Sequence, residues 1–282
     1  MNRTMIKSFP MDTCSCFLTN DAIIFIHIIK DFTHKPKRIA KETIRLSEIK
    51  IIHFLVGFRV YPLDNPHVVY TTFKILGSSS SGNAALLRAC ECNILIDAGL
   101  SGKKIQALLK DEGTSIEQLD AIFLTHEHND HCAGIRVLSK LGNLPIFANR
   151  DTIQAIQPKL PRRPNWKVFE TGKAFRFQSF KVHPFSVPHD AYDPVGFYFE
   201  WGKDDLFEPR SSLAWVTDLG FVPTLVRERI RQARILVIES NYCAKMLEQD
   251  PKRPWSLKQR IRGRHGHLSN QSTFELLESF ED

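Results

Sequence analysis

The sequence lacks the features that would mark a membrane protein or a disulfide-bonded scaffold. Its longest lipid-like run, Ala22–Ile29, falls far short of the roughly 20 apolar residues that a membrane-spanning helix needs. No small-residue cleavage site follows this run, so we expect a buried strand rather than a secretory signal. The chain has 6 cysteines in 282 residues and no C-x-x-C pair, which indicates reduced thiols and a cytoplasmic protein without membrane association.

A strong excess of charge is also missing. Residues 1–72 contain 10 Lys/Arg against 6 Asp/Glu, and residues 73–282 contain 28 against 25. The larger part is therefore only mildly basic, and any attraction for an anionic substrate must come from local patches. An apolar content of 43% and an aromatic content of 10% are ordinary for a globular chain and argue against disorder.

The pattern of the chain divides it into two regions. Residues 1–72 form an N-terminal extension of unknown role, with short apolar runs separated by basic, proline-containing stretches and without a recognisable motif. From Phe73 to Asp282, short apolar strands alternate with helical patterns, which predicts a single α/β domain whose sheets are covered by helices. Because every motif lies in the second region, we predict that residues 1–72 are dispensable for the chemistry.

Residues 125–131 contain the densest group of metal-binding side chains. They read T-H-E-H-N-D-H, directly after the apolar run Ala121–Leu124 and before a predicted helix at Ala133–Leu141. Three imidazoles and a carboxylate on one loop suit a borderline cation such as zinc, which accepts nitrogen and oxygen ligands. His126 and His128 point the same way on an extended loop and can share one ion, whereas Asp130 and His131 are displaced towards a second.

The whole arrangement resembles the metallo-β-lactamase superfamily and, within it, the YycJ/WalJ branch of bacterial phosphodiesterases with exonuclease character. The resemblance covers about residues 73–274 and rests on segments that occur in the family order: GSSSSGNA (77–84), LIDAGLSGKKI (95–105), LTHEHNDHCAG (124–134), VPHDAYDPVGF (187–197), TDLG (217–220), IESNY (238–242), PWSLKQRI (254–261) and GHLSN (266–270). It implies a four-layer αββα sandwich. Family members usually continue beyond GHLSN with another helix and strand, so we expect a C-terminally truncated sandwich with an uncovered sheet edge.

The resemblance also implies a centre with two divalent ions, zinc or alternatively manganese. One ion would be held by His126, His128 and His189, the other by Asp130, His131 and His267, with Asp218 bridging both. Without the resemblance, His189 is only a lone histidine in a loop, and Asp218 is an aspartate that follows an apolar strand. His265 is then as good a candidate ligand as His267. Asp130 would orient a metal-bridging hydroxide, and Asp97 would orient a ligand histidine through its free ring nitrogen.

Candidate substrate contacts surround this centre. The Gly/Ser turn with Ser81 and Asn83 could hold phosphate through backbone amides, although a flexible turn explains it equally well. Asn241 is a polar support near the site. The basic stretch 245–264 contains Trp255, Arg262 and Arg264, a combination suited to a nucleic-acid backbone, although a charge run is more often a solvated face.

Three functions are compatible with these residues. The first is a dinuclear phosphodiesterase or exonuclease acting on nucleic acid, which the basic stretch favours. The second is a hydrolase of a small ester, thioester or lactone, which the mild charge of the domain allows. The third is a non-catalytic regulatory protein that retains the fold, against which the complete set of candidate ligands argues. The sequence leaves the metal, the choice between DNA and RNA, and the oligomeric state open.

Overall fold

The computed structural model describes residues 16–19, 22–28, 58–60, 71–202 and 210–280. In chain order the strands are β1 (Cys16–Thr19), β2 (Ala22–Ile28), β3 (Phe58–Val60), β4 (Thr71–Gly77), β5 (Ala84–Ala89), β6 (Cys92–Ile96), β7 (Ala121–Phe123), β8 (Pro145–Ala148), β9 (Asn165–Val168), β10 (Phe175–Phe177), β11 (Phe180–Ser186), β12 (Val195–Trp201), β13 (Ser211–Val216) and β14 (Ile235–Ser240). The helices are α1 (Gly102–Asp111), α2 (Asn129–Cys132), α3 (Ile135–Leu138), α4 (Arg150–Ile156), α5 (Thr224–Arg231), α6 (Ala244–Gln249), α7 (Trp255–Arg262) and α8 (Asn270–Glu278).

The strands form two sheets that face each other. Within the described residues each sheet has seven strands, in the orders β1-β2-β14-β13-β12-β11-β10 and β3-β4-β5-β6-β7-β8-β9. Aromatic side chains dominate the core between the sheets, where Phe123 lies edge-on to Phe197 and Phe199 and packs in one cluster with Trp215. A second core buries α1 and α3 against the β4–β9 sheet, and a third buries α5 and α8 against the β10–β14 sheet. This layering confirms the predicted αββα sandwich.

Each sheet contains a set of neighbouring parallel strands, so the carboxyl ends of these strands lie along one edge. Strands β6, β7, β8 and β9 are mutually parallel, as are β13, β14 and β2. The runs ILI in β6, AIF in β7 and ILVIES in β14 are buried throughout, as expected for strands covered on both faces. The residues that follow these strands therefore emerge together, and this is where open α/β sheets place their sites.

The helix predicted at Ala133–Leu141 does not have the predicted bounds. The chain instead forms two short helices, α2 and α3, separated at Ala133 and Gly134. A continuous helix would bond the Gly134 amide to the Asp130 carbonyl, but both groups have other partners. Gly134 N donates to Ala98 O at 2.7 Å, and Asp130 O accepts from Asn83 N at 2.7 Å. These bonds fasten the histidine loop to the two neighbouring loops.

Parts of the N-terminal extension belong to the sheets. β2 pairs in parallel with β14 along its whole length, and β3 pairs with β4. The predicted strand at Ala22–Ile29 is confirmed as Ala22–Ile28, and within the described residues β14 lies between β2 and β13. Most of the extension, including most of the apolar run at Ile49–Tyr61, lies outside the described residues. The boundary at residue 73 stays a prediction.

Two further properties of the described residues bear on the sequence predictions. No helix in the described ranges is long and apolar enough to cross a membrane. Cys90, Cys92, Cys132 and Cys243 are all free thiols. Burial raises the pKa of Cys132 to about 12, so this thiol beside the histidine loop is protonated at neutral pH and is not poised as a nucleophile.

Candidate metal centre

Six of the seven predicted ligands meet at the carboxyl ends of the strands, where their side chains form contacts with one another. His126, His128 and His131 come from the loop after β7, His189 from the loop after β11, Asp218 from the turn after β13, and His267 from the loop before α8. The seventh, Asp130, lies beside them, with Oδ2 3.8 Å from His131 Nε2. His265 is exposed, two residues before His267.

The first set of donors has the spacing of a metal site. His128 Nδ1 lies 3.1 Å from His126 Nε2 and 3.3 Å from His189 Nε2, and the three nitrogens form one compact group. Two donors of a tetrahedral zinc, each about 2.0–2.1 Å from the ion, lie about 3.3 Å apart. The donors present therefore fit a divalent ion of this size.

The outer nitrogens of these rings have partners that fix their orientation. His126 Nδ1 lies 3.0 Å from Thr125 Oγ1, and His189 Nδ1 donates to Gly266 O at 3.3 Å. The second bond leaves the lone pair of His189 on Nε2, which faces the centre. Burial lowers the pKa of His126 well below its ordinary value and also lowers that of His189. Both rings are thus held in the neutral form that binds metal.

The second set of donors is centred on His131 and Asp218. His131 Nε2 lies 2.8 Å from Asp218 Oδ2, and His131 Nδ1 donates to Asp97 Oδ2 at 2.8 Å. Asp218 Oδ2 is buried, yet it accepts no hydrogen bond of good geometry from any residue in the described ranges. A buried oxygen without a donor, facing a ring nitrogen, is what a shared cation would satisfy.

The charged groups of this second set shift the pKa values of one another. Burial alone would lower the pKa of His131, but the carboxylates of Asp218 and Asp97 raise it well above its ordinary value. Burial opposes ionisation of Asp218 as well, yet the neighbouring histidines, His131 first, hold its pKa well below the usual range. Without metal, positive charge on the rings therefore balances the carboxylates, and a divalent cation would take over that role.

His267 is hydrogen-bonded to Glu239, a carboxylate beside this second set that the sequence analysis did not select. Its Nδ1 donates to Glu239 Oε2 at 3.0 Å and lies 3.3 Å from Asp218 Oδ1. Asp218, Glu239 and His267 form a compact group of possible ligands, and the His267 ring lies 5.4 Å from that of His189. Burial would lower the pKa of His267, but Asp218 and Glu239 raise it to about 10.

Two aspartates of the centre adopt an unusual backbone conformation. Asp97 has φ of 58° and Asp218 has φ of 56°, in the left-handed region that L-residues seldom occupy. Asp97 is fully buried and accepts bonds from Thr125 N at 2.9 Å and Thr125 Oγ1 at 3.0 Å. This strain is held by the surrounding contacts and is typical of functional positions. Asp97 also accepts from His131 Nδ1 at 2.8 Å, and its orienting role stays a prediction.

The Gly/Ser turn packs against the histidine loop. The buried Asn83 places its Nδ2 3.0 Å from His131 Nε2 and 3.4 Å from Asp130 Oδ2. A Cβ on Gly99 would lie 1.6 Å from Asp130 O, so only glycine permits this close approach. Ser81 is exposed in the same turn, with its amide bonded to Ser79 Oγ. Asn83 thus supports the ligands, and Ser81 faces solvent.

The basic stretch predicted at 245–264 forms α6, α7 and a closing loop, and it contacts the centre at two points. A Cβ on Gly220, two residues after Asp218, would lie 2.3 Å from Gly263 O, so the two backbones are in close contact. Arg260 Nε donates to Asp190 Oδ2 at 2.5 Å, directly after His189 in sequence. Trp255, Arg262 and Arg264 of this stretch are exposed, and Arg264 lies 4.1 Å above the Phe221 ring. Asn241, predicted as a support, donates to Glu239 Oε2 at 3.4 Å.

Comparison with known proteins agrees with this geometry. Residues 92–282 match the family model of the beta-lactamase superfamily domain. The chain is 35% identical to the exodeoxyribonuclease YycJ of Bacillus anthracis, over 71% of this chain and 73% of that protein. It is 36% identical to the exodeoxyribonuclease WalJ of Streptococcus pneumoniae, over 73% of this chain and 75% of that protein.

The chain belongs to the beta-lactamase superfamily. The two exodeoxyribonucleases place it in the YycJ/WalJ family within that superfamily, as the sequence motifs predict. A solved diphosphatase of the PhnP family shares the fold, with a TM-score of 0.52, 18% identity, and coverage of 74% of this chain and 82% of that one. As a member of this superfamily with converging His and Asp donors, the chain is a metal-dependent hydrolase.

Proposed function

We propose that this chain is a two-metal phosphodiesterase that shortens DNA from an end. The observation that carries the proposal is a set of three neighbouring donor groups, two of which share Asp218. His126, His128 and His189 form the first group, and Asp218 belongs to a second group with His126 and His131 and to a third with Glu239 and His267. The names of the YycJ and WalJ relatives support DNA as the substrate.

The proposed ligand assignment is the one that the family resemblance implies, and the donor groups that contain Asp218 support part of it. His126, His128 and His189 would hold one ion, Asp130, His131 and His267 would hold the other, and Asp218 would be available to both. Imidazole and carboxylate donors together fit Zn²⁺, with Mn²⁺ as the alternative. When bound, such ions activate water near neutral pH and polarise a phosphoryl oxygen.

The other residues of the site act on water and substrate. Asp130, whose side chain is about one-third exposed, is placed to accept a hydrogen bond from the attacking water and to orient it. Asp97 holds the His131 ring through Nδ1. Arg262 and Arg264, at the end of α7 against the Asp218 turn, bind backbone phosphates, and Trp255 offers a face for an unpaired base. Asn83, whose Nδ2 lies 3.0 Å from His131 Nε2, and the exposed Ser81 in the same turn are the other candidate substrate contacts.

The domain organisation and location are part of the proposal. Residues 73–282 form the hydrolase domain, the extension adds the described strands β1, β2 and β3 to its sheets, and all proposed ligands lie after residue 73. The free thiols of the described cysteines support a cytoplasmic location. Nucleic acid is the proposed partner, as the substrate.

A substrate panel tests the proposal. End-labelled single- and double-stranded DNA and RNA would be incubated with metal-loaded protein, alongside a thioester and a lactone. We expect metal-dependent release of nucleotides from a DNA end. Turnover of only the thioester or lactone would identify a small-molecule hydrolase, and no turnover of any substrate by fully loaded protein would favour a regulatory role.

A further inference from the structure

Glu239 is the most thoroughly bonded carboxylate beside the centre. It lies in β14, within the apolar run ILVIES, and is fully buried. Oε1 accepts from Leu219 N at 2.7 Å and from Leu268 N at 3.1 Å. Oε2 accepts from His267 Nδ1 at 3.0 Å and from Asn241 Nδ2 at 3.4 Å. One side chain therefore connects the turn after β13, the loop before α8 and the ring of His267.

These contacts argue that Glu239 does not bind metal itself. An ionised carboxylate has about four lone-pair sites, and four N–H donors already point at the two oxygens of Glu239. Asp218 offers the contrast, because its buried Oδ2 accepts no well-formed hydrogen bond within the described residues. Of the two carboxylates, Asp218 is the one with an oxygen free for a cation.

The bonded backbone amides belong to the residues that directly follow two proposed ligands. Leu219 follows Asp218 and Leu268 follows His267, so Glu239 Oε1 fixes the backbone just beyond both. The bond from His267 Nδ1 to Glu239 Oε2 keeps the proton on Nδ1 and leaves the Nε2 lone pair as the ligand. Asp97 makes the equivalent bond to His131 from the other sheet.

We infer that Glu239 is a positioning residue that sets the tautomer of His267 and the spacing between His267 and Asp218, and thereby the affinity for the second metal. This inference rests on the proposed two-metal site. Removal of an outer hydrogen-bond partner of a ligand histidine typically weakens metal binding by about 10–100-fold. The first site, whose three histidines Glu239 does not contact, should keep its affinity.

The test measures stepwise metal binding by the full-length protein in competition with a chromophoric chelator. Glu239→Gln keeps the size of the side chain but presents an amide donor to His267, which favours the wrong tautomer. We expect the second binding constant to fall by about 10–100-fold and the first to stay unchanged. The matched control is Glu200→Gln, which disrupts a carboxylate–histidine pair (His183 Nε2 to Glu200 Oε2, 2.9 Å) elsewhere in the same sheet and should change neither constant.

A double-mutant cycle separates positioning from general destabilisation. In a His267→Ala background, Glu239→Gln should change the second binding constant by less than about twofold, because its effect passes through the ring that is absent. If Glu239→Gln does not fold, Glu239→Asp serves instead, since its shorter carboxylate cannot reach all four donors and should also weaken only the second site.

An unchanged second constant in Glu239→Gln or in Glu239→Asp would overturn the inference while leaving the two-metal site intact. An equal loss in the His267→Ala background would overturn it as well. Wild-type protein that binds only one ion would overturn the proposed function and this inference together.

Discussion

Replacement of Asp218 by asparagine tests the centre most directly. Asparagine keeps the shape of the side chain, and it tolerates the left-handed φ of 56° at this position better than alanine does. The substitution therefore removes the negative charge with little backbone strain. The lost charge faces His131 Nε2 at 2.8 Å and His267 Nδ1 at 3.3 Å.

The size of the effect follows from these contacts. Loss of an outer partner of a ligand costs about 10–100-fold in metal affinity, so loss of a carboxylate proposed to serve both ions should exceed 100-fold at the second site. Metal-free protein should also lose stability, because breaking a buried ion pair costs up to about 3–5 kcal/mol. His131 and His267 can release their protons, so we expect the lower end, and a Tm about 5–10 °C lower.

The assay combines elemental analysis after gel filtration with turnover of end-labelled DNA per bound metal. Asp120→Asn is the matched control: it weakens the bond from Asn93 N to Asp120 Oδ2 (2.7 Å) just before β7, at the opposite end from the centre. That variant should lose stability but keep two metals. If Asp218→Asn bound two ions and retained turnover, the bridging assignment and the reasoning from the free Oδ2 would be refuted.

The remaining predictions concern substrate, protons and the extension. Arg262→Ala and Arg264→Ala should leave both metals bound but weaken DNA binding, each reducing the slope of log K against log salt by about 1; equal binding at low and high salt would contradict a phosphate role. Trp255→Ala should weaken single-stranded binding by about 1–3 kcal/mol, measured by fluorescence anisotropy, and leave a short duplex less affected. His267 is protonated below a pKa of about 10, so metal binding at the second site should release protons at pH 7. The affinity of that site should rise as the pH approaches 10. Calorimetry in buffers of different ionisation enthalpy measures the number of protons released. In metal-free protein the same raised pKa gives stability that is complete below about pH 6.5 and is lost as pH approaches 10. Protein beginning at residue 70 should keep its metal content and turnover per metal, but it should aggregate more readily because β14 loses its pairing with β2; normal metal content without turnover would show that residues 1–69 contribute to the active site.

The sequence predicted the fold and the position of the centre, because the relevant signals are local. Apolar runs of strand length mark the parallel strands, and the histidine loop follows one of them directly. The extent of the helix after that loop could not be predicted, since it depends on which groups bond Gly134 N and Asp130 O. Those partners, Ala98 O and Asn83 N, lie some 30–50 residues earlier in the chain, and no pattern near residue 134 indicates them.

Glu239 shows which site residues a sequence can reveal and which contacts it cannot. Asp97, Asp218 and Glu239 each lie at or just after the end of a buried apolar strand, in ILID, WVTD and ILVIE, and parallel strands bring such ends to one edge. The same signal that selected Asp97 and Asp218 was therefore present at Glu239. The sequence does not show what each carboxylate meets. Asp97 and Glu239 accept several hydrogen bonds and contact histidine rings, whereas Asp218 Oδ2, which faces His131 Nε2 at 2.8 Å, has no hydrogen bond of good geometry within the described residues. This difference in hydrogen bonding, set by loops from distant parts of the chain, separates the proposed ligand Asp218 from the residues that we propose hold ligands in place.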